Sequence, residues 1–265
     1  MKIEILYGEL ANLLGEHGTQ MLLSETFGEA RIVRTPFPAQ PAFMTDDIDF
    51  VYMGPMTERT QRLVLDRWRP WASAFRDAIE RDVTFFFVGN AMDLVGRTIR
   101  YEDGPTVEAL GLFPFDTTCR RYDRDNAVVR GVAGDIDVMG FRSQWTEHTG
   151  DAGAHPLIDI TYGHGMNPDT QAEGIRYRRF LATDLLGPFL IMNPAFTRRL
   201  FQTLGHDGPL PHQAVLEKAA EARMRDFDRS FQSWRKSRAA VRAFRTREQR
   251  VLEASKTSTS PSSEQ

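Results

Sequence analysis

Residues 83–88 form a nearly unbroken apolar run, with Val83, Phe85, Phe86, Phe87 and Val88 around a single threonine. Such a run predicts a short strand buried on both faces, at the centre of a parallel sheet. It stops at Gly89 and Asn90, two residue types that tolerate positive φ, and residues 91–95 are suited to begin a helix. A strand that turns at once into a helix lifts its turn residue above the sheet. Hydrolytic enzymes place a nucleophile there, because the turn exposes it and nearby amides bind an oxyanion. Here the turn residue is glycine. The pattern gives the shape of a nucleophile turn without the nucleophile.

The same pattern, followed from the N-terminus, alternates strands with helices. Residues 3–7, 30–33 and 47–53 read as buried strands. Residues 19–27 and 57–68 read as helices, and Pro70 opens another, with Trp71, Ala74, Phe75, Ala78 and Ile79 at helical spacing. This alternation predicts a three-layer α/β fold with a mostly parallel central sheet. Beyond it, residues 117–122, 127–132, 137–141 and 157–162 read as short strands, antiparallel pieces flanking the sheet. Residues 163–174 read as a loop, 180–186 as a further core strand and 194–204 as a closing helix. From about residue 211, Ala220, Met224, Phe227, Phe231, Trp234, Arg238 and Val241 fall on one face of a long helix. Three apolar groups as large as Phe227, Phe231 and Trp234 call for a covering surface. The expected division is a domain over 1–205, a helical extension over 206–254 and a disordered tail over 255–265.

Composition narrows the picture without redirecting it. A chain of 265 residues that is 41% hydrophobic is long enough for one large core plus an appendage. Its formal net charge of −3 gives no electrostatic reason to expect nucleic acid or an anionic membrane. Arginines in the C-terminal helix alternate with Asp226, Asp228 and Glu248, as on a solvated face. Glu4, Glu9 and Glu16 interrupt the N-terminal segment, which is therefore not expected to be a signal peptide, and no window reaches membrane-span length. The single cysteine, Cys119, excludes an internal disulfide framework and fits a reducing, cytoplasmic setting. It reads as a small buried side chain rather than a relocated nucleophile. His164 reads as a loop histidine. His148, His155 and Asp159 lack recognised metal-ligand spacing, so neither metal nor cofactor is expected. Asp93 has two readings: a ligand for a cation or amine, or a carboxylate set against a helix dipole.

Four stretches together resemble the class I glutamine amidotransferases, in their cobyric-acid-synthase-like (CobB/CobQ-like) branch. The likeness is greatest to GatD-type glutaminase subunits of lipid II isoglutaminyl synthase. LYGELANLLGEHG, residues 6–18, is similar to LYxDLMNxYGDxG. VYMGPMTERTQ, residues 51–61, occupies the place of a glycine-rich oxyanion turn. FVGNAMDLVG, residues 87–96, frames the elbow pattern CGGYQLLG. GIRYRRFLATDLLGPFLIMNP, residues 174–194, is similar to GxRYxxxxGTYLHGPLLxxNP. The four occur in the family's order over roughly the first two hundred residues.

The resemblance implies the class I amidotransferase fold and a chemistry in which a cysteine attacks the glutamine amide and a histidine moves the protons. The cysteine position is Gly89 and the histidine position is Leu186, so neither catalytic group is intact. The family's GFENH stands as GFRSQ, residues 140–144, or, in a shifted alignment, gives way to Glu147 and His148. Gly54 keeps the oxyanion turn if Met53-Gly54-Pro55 replaces Gly-Gly-Pro; one residue later, Pro55 removes a donor, and Met56 adds bulk either way. Gly54, Asn90 and Asp93 are the pocket candidates. The implied function is a degenerate, non-catalytic homologue partnering a Mur-ligase-like (MurT-type) subunit in cell-wall precursor amidation, with self-association through the C-terminal helix as a further partner mode. The alternatives are an active glutaminase with a misplaced nucleophile, and a small-molecule binding module.

Overall fold

The computed structural model describes residues 1–102, 104–120, 124–151 and 155–228. The apolar run becomes β4 (Thr84–Val88), buried at every position. Around it lie β1 (Ile3–Leu6), β2 (Ile32–Thr35), β3 (Phe50–Met53), β13 (Ile175–Tyr177) and β14 (Phe180–Thr183), in the sheet order β13-β14-β4-β3-β1-β2. Every neighbouring pair is parallel except β13 with β14. Side chains alternate across a strand, so β4 serves two cores at once. Phe85 and Phe87 pack with α2 (Glu58–Trp68) and α3 (Ala72–Glu80). Phe86 and Val88 pack with α1 (His17–Phe27), α4 (Phe189–Met192) and α5 (Pro194–Thr203). The result is the expected three-layer α/β arrangement.

Local sequence accounts for several boundaries. The Thr57 hydroxyl caps α2 by accepting from the Thr60 amide at 3.1 Å. The indole of Trp68, fully buried at the other end of α2, donates to the Tyr7 hydroxyl at 3.0 Å. The second strand starts at Ile32, later than its apolar pattern indicated, because residues 29–31 form a 3-10 turn after Gly28. The third is confined to Phe50–Met53.

The elbow departs from expectation in a way that matters. No α-helix follows the turn; Gly89–Val95 is a single 3-10 segment that begins at Gly89 itself. The carbonyl of Leu94 accepts from the Leu110 amide, and that of Val95 from the amides of Leu112 and Phe113. A helix continuing past Gly96 would need those carbonyls.

The second half builds two further sheets. One has the order β10-β7-β5-β6, from β5 (Thr98–Tyr101), β6 (Thr106–Glu108), β7 (Phe115–Cys119) and β10 (Thr146–Gly150). The other has the order β12-β11-β8-β9, from β8 (Asp125–Ala133), β9 (Ile136–Gln144), β11 (Ile158–Tyr162) and β12 (Ala172–Glu173). Only β5 with β7 is parallel among their pairs. The strand expected over 180–186 stops at Thr183, and Leu186 instead makes an isolated antiparallel bridge to Phe141.

The chain divides into two units, Met1–Glu217 and Lys218–Gln265. Residues 213–228 are helical. Ala220, Met224 and Phe227 fall within that helix, whereas Phe231, Trp234, Arg238, Val241, Glu248 and the expected tail lie outside the described residues. No described helix is long and apolar enough to cross a membrane.

Candidate functional site

The carboxyl ends of β3, β4 and β14 open onto one cavity of about 190 Å3. Ligands of open α/β sheets bind at this edge. Gly89 sits there with φ +61°, the left-handed conformation a nucleophile turn requires. A Cβ on it would lie 2.8 Å from Pro55 Cβ and 3.1 Å from Leu186 Cδ2. A proline ring cannot swing aside, so a side chain at Gly89 forces the backbone to move. Leu186, which lines the same cavity, is held by reciprocal backbone bonds to Phe141 of 2.8 and 2.9 Å.

The oxyanion side is equally occupied. Gly54 does not line the cavity; a Cβ there would meet the Ala11 carbonyl oxygen at 2.6 Å. Pro55 and Met56 line it instead. Proline has no N–H, and the Met56 amide donates to Asn90 Oδ1 at 2.9 Å. Asn90 Nδ2 returns a bond to the Met56 carbonyl at 2.8 Å. Thus the side chain of Asn90 brackets Met56, and neither residue 55 nor 56 has an amide to offer an oxyanion.

Asp93 holds the centre of the site. Its Oδ2 accepts from Gln61 Nε2 at 2.8 Å, and its Oδ1 lies 2.7 Å from His148 Nε2. The other ring nitrogen of His148, Nδ1, is 3.1 Å from Asp184 Oδ2. All three are buried: Asp93 and His148 have no exposed surface and Asp184 has 1%. Burial alone would lower the pKa of His148, but Asp184 and then Asp93 outweigh it and raise the pKa to about 10. The two acidic side chains thus favour the charged form of the imidazole, which bonds to Asp93 through Nε2, while Nδ1 lies near Asp184 without hydrogen-bond alignment. Burial pushes the Asp93 carboxyl up, while His148 and Gln61 pull it back.

A second buried pair adjoins this cluster. Glu173 Oε1 accepts from the Asp184 amide and the Thr183 hydroxyl, both at 2.9 Å. Glu173 Oε2 meets Arg142 Nη2 at 2.5 Å, and Arg142 Nη1 bonds to His164 Nδ1 at 2.8 Å and to the Gly165 carbonyl. Asp125, 3.2 Å from His164 Nε2, raises the His164 pKa against its partial burial. The chain of charges links elements of all three sheets.

Several residues read differently in place. His148 reaches the site on β10, while its neighbour Glu147 pairs with Arg120 at 3.0 Å. Cys119, remote in sequence, lines the same cavity as Gly89. His164 serves Arg142 and does not line the cavity. His155 borders a separate cavity, with Tyr177 and Arg176, and Asp159 is exposed on β11. The ligand atoms of Asp93, His148 and Asp184 lie within 4.8 Å of one another, close enough in principle for a metal. Both ring nitrogens, however, face separate carboxylates, and a metal would have to displace one contact and the proton. Spacing did not reveal this cluster. Its available signal was that Asp93 and Asp184 put carboxylates where the quoted motifs have glutamine and tyrosine.

The fold is that of the glutamine amidotransferases. A crystal structure of a glutamine amidotransferase matches with a TM-score of 0.54 and 13% identity, over 77% of this chain and 100% of that one. In sequence the chain is similar to the lipid II isoglutaminyl synthase (glutamine-hydrolyzing) subunit GatD of Staphylococcus aureus (strain N315), with 27% identity over 159 residues. That match spans 59% of this chain and 64% of the relative. The same subunit of Streptococcus pneumoniae (strain ATCC BAA-255 / R6) is 23% identical over 221 residues, 80% of this chain and 85% of the relative. No protein-family model matches. These findings support a glutamine-amidotransferase-like chain related to GatD.

Proposed function

We propose that this chain is a non-catalytic relative of the GatD-type glutaminase subunits, acting in the cytoplasm as a binding subunit for a Mur-ligase-like partner in cell-wall precursor amidation. The observation that carries the reading is Gly89: the turn keeps its backbone conformation, while Pro55 and Leu186 fill the space a nucleophile would use. Loss of either the nucleophile or its base alone costs several orders of magnitude in rate, and both positions are apolar here. The proposed partner surface is the cavity mouth, where Leu13 and Leu14 are 39% and 48% exposed. The relatives named above are themselves subunits of a synthase, which favours a partner of that kind.

One observation favours a second reading, an active glutaminase: Cys119 lines the cavity. Against it, no described histidine lines that cavity, and His148 beneath it is held between Asp93 and Asp184.

The partner claim is tested by co-expression with a Mur-ligase-like protein. Wild type is expected to retain that protein through purification, and Leu14→Arg, folded by circular dichroism, is expected to lose it. Equal recovery would rule out the cavity mouth as the interface; no recovery with either would remove the partner claim.

A further inference from the structure

Two carboxyl groups, of Asp93 and Asp184, flank one imidazole beneath the cavity, while the neighbouring Glu173 is matched by Arg142. Both oxygens of Asp93 are occupied, by Gln61 and His148. Asp184 differs. Its Oδ2 has His148 at 3.1 Å and a long contact of 3.4 Å from Gln144 Nε2, and its Oδ1 accepts no hydrogen bond from any described residue. Yet Asp184 is 1% exposed and lines the cavity. A second acceptor faces the same space: Gln144 Oε1 is buried without a donor, and Gln144 also lines the cavity. Asp184 sets a carboxylate against the same space, which Arg124 also lines. A buried acceptor left unpaired, as Gln144 Oε1 is, is costly unless something supplies a donor.

The walls define the rest of the missing group. Leu14, Pro55, Met56 and Leu186 make one apolar side of the cavity, against which an apolar stem can lie, while Glu58, Gln61 and Arg124 line it elsewhere. A space of about 190 Å3 is smaller than the pockets that hold drug-sized ligands. We propose that this cavity binds a primary alkylammonium group, its N–H donors directed to Asp184 and Gln144 and its stem against the apolar wall. The inference rests on the reading that the site binds without catalysing. Two sources share the chemistry: a free small amine, or a lysine side chain presented by a protein.

The test is calorimetric titration of the full chain with n-butylammonium chloride and, separately, with n-butanol, a neutral probe of similar shape. Saturable 1:1 binding of the ammonium and none of the alcohol is expected. Asp184→Asn should weaken it by about 10- to 100-fold, the worth of a hydrogen bond to a charged group. Comparable binding of both probes, or of neither, overturns the proposal. So does 1:1 binding of zinc chloride that excludes the ammonium, which would make the cluster a metal site. If Asp184→Asn does not fold, the comparison of the two probes on wild type still decides. Nα-acetyl-lysine methylamide against its norleucine counterpart identifies the source: binding at least as tight as butylammonium assigns a lysine side chain, and weaker binding a free amine. Ammonia release from glutamine, measured on the same samples, tests the non-catalytic reading independently of the amine.

Discussion

At the scale of single residues, His148 sits buried between two acidic side chains. Its charged form cancels much of the repulsion between two buried carboxylates, so removing it leaves both uncompensated. His148→Ala is expected to cost about 3–5 kcal/mol, the range for breaking a buried charge pair, read as a drop in unfolding free energy in urea. The pH dependence has a definite sign. A histidine with a folded pKa near 10 and an ordinary unfolded value gives stability that is fully present below about pH 6.5 and lost as pH rises through about 10. Wild type should lose several kcal/mol over that window, and a folded His148→Asn variant should show a visibly shallower decline. Equal slopes would mean that His148 does not carry the charge. Gly89 makes the opposite argument, because it matters through the absence of a side chain. Gly89→Ala should cost about 1–3 kcal/mol, from crowding against Pro55 together with a positive φ.

At the scale of elements, the charged network ties strands of separate sheets. Arg142 on β9 reaches Glu173 on β12, Glu173 holds the backbone just after β14, and His148 on β10 reaches the 3-10 segment after β4. Replacing Arg142 by methionine leaves Glu173 buried without its cation, and a loss of about 3–5 kcal/mol is expected in equilibrium unfolding. A loss under 1 kcal/mol would show that the network does not staple these strands. Pattern alone revealed the elements whose faces differ strongly: the apolar strand 84–88, the helices 58–68 and 72–80, and the tight turn at Gly89. It did not reveal β5, β6, β10, β12 or β13. Those strands are short and half-exposed or carry polar residues inward, as His148 and Glu173 do, and alternation cannot flag a buried polar residue whose partner is 55 positions away. Gly89 and Leu186 stood out because they differ from the motifs that their stretches resemble. The His148 cluster did not, since it exists only once β10 is paired with β7.

At the scale of the whole molecule, the unit Met1–Glu217 holds both hydrophobic cores and the site. A chain ending at Glu217 is therefore expected to keep its circular dichroism and a cooperative unfolding transition. Loss of cooperativity would show that residues after 217 are needed for the fold.

The account rests on one claim: a glutamine-attacking centre has given way to a buried charged cluster. Ammonia release from glutamine tests it most directly, measured for wild type, for Gly89→Cys with Leu186→His, and for Cys119→Ala. All three are expected to stay at the no-protein background, since Pro55 crowds the restored cysteine and Pro55 and Met56 have no amide to offer an oxyanion. Release by wild type that disappears in Cys119→Ala would contradict the account and put the nucleophile on β7.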